Sequence, residues 1–242
     1  MEWLRILSDF AETGQRRFEE RLPEIQDLPR GKYLRRKREL LNEPEVAFYR
    51  STSPPASVRA VEELGPVPGE LRQLLEWSDG VGALKAAPEV VEIQIFGVQG
   101  IQQFKAMARH LVDRDELFPP VFGKLLIFGS DFARRHLAIW TGDAVTPAPV
   151  LLVDLEDREI LVVSHSLDLF FQRIAFALIH GIRFRVGTRS TQLRDFIKDS
   201  EPGLTYPPKV KGQTQFSFDR VSCFPESWRS LLSENDLSFR PD

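Results

Sequence analysis

Cysteine is almost missing from this chain. Cys223 stands alone among 242 residues, so no internal disulfide and no cysteine-built zinc site is available. With no activating base beside it in sequence, Cys223 reads as an inert thiol. Long apolar runs are missing as well. Ile174-Ala175-Phe176-Ala177-Leu178-Ile179 falls far short of the roughly 20 residues a membrane span needs. At the N-terminus Glu2, Arg5 and Asp9 interrupt the apolar residues, and no uncharged signal core follows. The expectation is a cytoplasmic protein with no membrane partner. Neither sign of charge dominates: 32 Lys and Arg stand against 35 Asp and Glu, a net charge of -3. That balance gives no whole-chain case for direct nucleic-acid binding. A composition of 42% hydrophobic and 28% charged residues excludes wholesale disorder.

The usual patterns of catalysis are also lacking. The four histidines, His110, His136, His165 and His180, show no HxH, HxxxH or HExxH spacing, so no metal site is expected. Gly80-Val81-Gly82 lacks the third glycine of a dinucleotide loop and follows a helical pattern. Gly97-Val98-Gln99-Gly100 has no Lys-Ser or Lys-Thr after it. Both read as turns, and no cofactor is expected. Ser164, His165, Ser166 and Asp168 superficially suggest a Ser-His-Asp set, but triad side chains converge from separate elements. The simpler reading is a strand-to-helix junction with Ser166 as N-cap. The chain is expected not to be an enzyme.

What is present is a legible order of elements. Leu4, Leu7, Ala11, Phe18 and Leu22 share a helical face, which Pro23 is expected to end or kink. A second helix is predicted from about Gly31 to Leu41. Ser51-Thr52-Ser53-Pro54-Pro55 has the composition of an exposed linker and marks a domain boundary. Beyond it, Leu71, Leu74 and Leu75 have helical spacing, and Val91, Ile93 and Ile95 alternate as in a strand. Ile101, Phe104, Ala108 and Leu111 predict another helix. Four strands follow at Leu125–Phe128, His136–Thr141, Val150–Leu155 and Glu159–Val163, then a helix through Leu167, Phe170, Phe171, Ile174 and Leu178. Short connections between the strands favour an antiparallel meander. Thr191–Ser200 predicts a further helix. The fold class is therefore α+β, a single mixed and largely antiparallel sheet flanked by helices, with helical N- and C-terminal extensions. The division is 1–50 as N-terminal extension, 51–182 as central domain and 183–242 as C-terminal extension. Ile93, Ile127, Ile139, Leu152 and Leu161 are expected to be buried, and Trp77, Phe96 and Trp140 read as core aromatics, with interface anchors as the alternative.

Charge is distributed unevenly over that plan. Residues 56–182 hold 11 basic and 17 acidic side chains, a balance of -6, while the flanking segments are weakly positive. Asp154, Glu156, Asp157 and Glu159 crowd one hairpin turn; Asp113, Asp115 and Glu116 follow a helix; Asp79 and Asp131 end two further elements. Acidic turns serve solubility in many proteins. The opposite cluster, Arg30, Lys32, Arg35, Arg36, Lys37 and Arg38, suits contact with a polyanion or a solvated helix face paired with Glu39 and Glu43.

The central segment resembles the SMI1/KNR4 group of the SUKH superfamily. The resemblance rests on Val67-Pro68, Leu74-Leu75 and Asp79-Gly80 around the first helix and on Phe96-Gly97 at a strand end. Ile127-Phe128-Gly129-Ser130-Asp131 and Ser166-Leu167-Asp168-Leu169-Phe170-Phe171 complete it. Asp79 and Leu167 depart from the usual Asn and Phe. The match covers roughly half the chain, in order and spacing, and leaves both extensions outside it. Bacterial members are mostly immunity proteins that neutralise polymorphic toxins, often nucleases; fungal members are regulatory scaffolds. The resemblance thus implies an immunity protein that occludes a cognate toxin, with a regulatory interaction scaffold as the alternative. A basic nuclease groove would be met by an acidic face. The residues assigned to that contact are Asp79, Asp113, Asp115, Glu116, Asp131, Asp154, Glu156, Asp157 and Glu159.

Overall fold

The first helix forms because Trp3, Leu7, Ala11 and Gly14 recur at spacings of four, four and three, which lines them along one buried stripe. In the computed structural model, which describes residues 1–82, 93–114, 123–131, 135–141, 148–154, 159–182, 191–201 and 217–218, this helix (α1) runs over Glu2–Gln26. The stripe is turned from the one expected: Leu4, Phe18 and Leu22 lie at its edge, half-buried. Pro23 does not end the helix, which continues to Gln26. So near the C-terminal end, a proline removes one donor and leaves little helix beyond it to disrupt.

Two short helices follow, α2 over Arg30–Leu41 and α3 over Pro44–Ser51. The second of these was not anticipated, although Pro44 at its first turn is the expected start signal. Helix α1 crosses α3 at Gly14, where an added Cβ would lie 1.9 Å from the carbonyl oxygen of Glu45. Phe10 packs edge-on against Phe48 beside the crossing, with ring centroids 5.6 Å apart.

The stretch 51–55 is stitched to the body. Thr52 forms an antiparallel bridge with Val81, which in turn bridges Ile95. The Ser53 N–H donates to Ser78 Oγ at 3.0 Å, the Asp79 N–H to the Pro54 carbonyl at 3.0 Å, and the Gly82 N–H to the Ser51 carbonyl at 2.6 Å. Ser53, Pro54 and Pro55 remain exposed on the outer side. The core runs straight across the expected boundary: Trp3, Leu7 and Phe48 belong to one apolar cluster with Leu74, Ile139, Leu152 and Phe170.

Helices α4 (Val58–Glu62) and α5 (Gly69–Trp77) lead to the sheet. Its strands are β1 (Ile93–Ile95), β2 (Leu125–Asp131), β3 (Arg135–Trp140), β4 (Val150–Asp154), β5 (Glu159–Ser164) and β6 (Ser217–Phe218). The order is β1-β2-β3-β4-β5-β6; the first five pair antiparallel, and β6 joins β5 parallel. Helix α6 (Val98–Arg114) connects β1 to β2, and α7 (Leu167–Ile179) and α8 (Thr191–Ser200) follow β5. The fold is α+β, with a mixed, largely antiparallel sheet flanked by helices. One sheet face presents Leu126, Leu137, Ile139 and Leu152 to the large core, while Ile127, Ala138, Leu151 and Val153 on the other face are buried as well. Ile93, Ile127, Ile139 and Leu152 are buried as expected; the side chain of Leu161 lies outside the described residues. Trp140 is buried, whereas Trp77 and Phe96 are half-buried against the core, stacked on Phe48 and Phe104.

Candidate functional site

Antiparallel pairing brings the β2–β3 and β4–β5 connections to the same end of the sheet. Asp131 closes β2 there, and its carboxylate accepts the Arg135 backbone N–H at 3.0 Å and Nε–H at 2.7 Å. Arg135 opens β3 opposite Asp154, and Asp154 ends β4 opposite Glu159. The result is a row of alternating and then like charges across four strands, β2 to β5. Asp131 is only 8% exposed and Asp154 only 9%. His136, next in β3, packs against Phe104 of α6 with ring centroids 4.9 Å apart. Its Nδ1 is buried with no hydrogen-bond partner among the described residues. Burial holds the imidazole below its ordinary pKa, and the nearby charges of Asp131 and Asp154 oppose that shift.

This geometry corrects part of the sequence reading. Asp131 and Asp154 are not exposed turn acids. A carboxylate withdrawn from water must be paired, and Asp131 is held by the guanidinium and backbone of Arg135. Asp79 also has an internal task. Its Oδ1 accepts the Val98 N–H at 2.6 Å, capping α6 at its first residue from 19 positions upstream. Asp113 lies in α6 and Glu159 in β5, with side chains outside the described residues. Asp115, Glu116, Glu156 and Asp157 lie outside them altogether, as does Cys223.

A second polar centre went unforeseen. Past the end of α8, Glu201 turns its carboxylate onto the β5–α7 junction. Ser164 Oγ lies 2.9 and 3.1 Å from its two oxygens and 2.9 Å from the Ser166 carbonyl. The His165 backbone N–H donates to the same carboxylate at 2.6 Å, and Arg173 of α7 pairs with it and with the Val163 carbonyl. Ser166 is the N-cap expected, accepting from the Leu169 N–H at 3.2 Å. Asp168 instead accepts from Trp3 Nε1 at 2.8 Å and from Gln172 at 2.7 Å, which ties α1 to α7. Among the described residues, Ser164 Oγ therefore bonds a carboxylate and a carbonyl, not an imidazole, and the residues 164–168 do not form a triad. The available signal was Arg173, the one basic residue in a largely apolar helix.

Among the described residues no three His, Cys, Asp or Glu side chains converge as for a metal ion, and no helix is long and apolar enough to cross a membrane. No protein-family model matches the chain, and no curated protein matches its sequence.

Proposed function

We propose that this chain is a protein-binding module of the SUKH kind, acting as an immunity protein that occludes the working surface of a cognate toxin. The observation that supports the reading is the shared end of the sheet, where Asp131 closes β2 and Asp154 closes β4, and where the sequence continues from Asp154 into Glu156 and Asp157. Asp131 and Asp154 anchor that end internally. In this reading the contact passes to Glu156 and Asp157, in the connection between Asp154 and Glu159, with Asp115 and Glu116 after α6 as further candidates. A basic partner, such as a nuclease with a phosphate-binding groove, gains association rate and orientation from such a surface. A specific complex would bury about 1,200–2,000 Å² in total.

The test is co-expression with the toxin encoded beside this protein's gene, read as growth rescue and as association rate in stopped flow. The variant Glu156→Lys/Asp157→Lys is expected to associate at least about tenfold more slowly at low salt, with an unchanged melting temperature. Absence of rescue by the wild type rejects the immunity role. Unchanged association in the double variant rejects this face as the contact.

A further inference from the structure

We infer that helix α2 is a nucleic-acid phosphate-binding element, separate from the acidic end of the sheet. Arg30–Leu41 carries six cations and a single carboxylate. Leu40 is its one buried residue. At 100° per residue Arg35 and Arg38 lie opposite Leu40 and Lys32 on its flank; Arg36 stands one turn before Leu40, and all four cations are exposed. The side chains of Arg35 and Arg36 are 82% and 62% exposed.

The neutralising partners that the sequence offered are mostly used elsewhere. Glu43 pairs with Arg21 and lies near Arg17 of α1, and Glu45 pairs with Arg17 at 3.0 Å. Glu39 alone serves α2, shared between Arg35 and Arg36 at 3.0 Å each, and their hydrogen bonds lower its pKa. Lys37 lies 5.4 Å from the Tyr33 ring centre. Arg30, Lys32 and Arg38 have no ion-pair partner among the described residues. Like charges three and four residues apart destabilise an isolated helix, and this one has little buried surface to offset them.

Complementary charge decides the occupant. Four of the six cations are arginines, which pair bidentately with phosphate oxygens. A membrane-surface helix needs a broad apolar face, whereas Leu34 is the only strongly exposed large apolar side chain on α2. Twelve residues span about 18 Å, enough to follow several successive phosphates. The binding expected is local and independent of base sequence, which is how it coexists with a net charge of -3.

Fluorescence anisotropy of the full chain with a labelled 20-base-pair DNA duplex and a 20-nucleotide RNA tests this, with anionic phosphatidylserine vesicles as the rival surface. Four phosphate contacts predict a log–log salt slope of about -3.6 on duplex, or about 150-fold weaker binding at 200 than at 50 mM salt. Lys32→Gln/Arg35→Gln/Arg38→Gln should reduce that slope to about -1. Glu39→Gln, which frees two arginines, should tighten binding. Circular dichroism and melting confirm that each variant is folded. No binding at 50 mM salt, binding to vesicles alone, or an unchanged slope in the folded triple variant overturns the assignment.

Discussion

Arg173 of α7 and Glu201, just past α8, form an ion pair from which water is almost wholly removed: their side chains are 2% and 0% exposed. The pair joins the C-terminal extension to the sheet, because Arg173 also holds the Val163 carbonyl while Glu201 holds Ser164 and the His165 amide. Phe176 stacked on Phe196, with ring centroids 4.5 Å apart, supplies the apolar part of the same α7–α8 contact.

Glu201→Ala strands the Arg173 charge in the interior. Urea unfolding should show a loss of about 3–5 kcal/mol, while Arg173→Met combined with Glu201→Leu should recover most of it. A single-variant loss below about 1 kcal/mol would mean that α8 is not docked through this pair.

Stability should also depend on His136. Its folded pKa lies below the ordinary value because burial disfavours the charged ring. The unfolded chain therefore binds that proton more readily, and stability rises with pH across the window. The contribution is fully present above about pH 6.5, the unfolded value, and is lost as pH falls toward the lowered folded value. Melting temperatures from pH 7.5 to 5 should decline less steeply in His136→Leu than in the wild type.

Gly14→Ala tests the helix crossing. The new Cβ would overlap the Glu45 carbonyl, a backbone atom, so α1 and α3 must separate. Thermal or denaturant unfolding should register at least about 1–3 kcal/mol of destabilisation. A neutral result would show that the two helices do not approach this closely.

The proline-rich stretch 51–55 should resist limited proteolysis under native conditions. Its backbone is bonded to Ser78, Gly80, Asp79 and Gly82, and cleavage requires a segment to leave such partners. Release of a stable 1–50 fragment at low protease, detected by mass spectrometry, would contradict the stitched arrangement.

Element types were largely readable from the chain because each is set by nearest neighbours. The spacing of Leu71, Leu74 and Leu75, the apolar runs of β2 to β5 and the cap at Ser166 are local signals, and α5, the meander and α7 appear where they predict. At 51–55 composition foretold the exposure of Ser53, Pro54 and Pro55 but not their backbone partners, since Pro and Ser describe a backbone's preferences and not the groups it meets; the partners at Ser78–Gly82 lie some 25 residues away. The acidic set shows the same limit. Carboxylates at Asp79, Asp131 and Asp154 look alike in sequence, yet one caps a helix and two are buried at strand ends. Sequence alone determined that this chain folds as helices around a meander and carries its acidity centrally and its basic charge at 30–38. Tertiary structure alone decided which charges are already spoken for, because whether a carboxylate meets water, an amide or a guanidinium depends on residues that only folding brings within 3 Å of it.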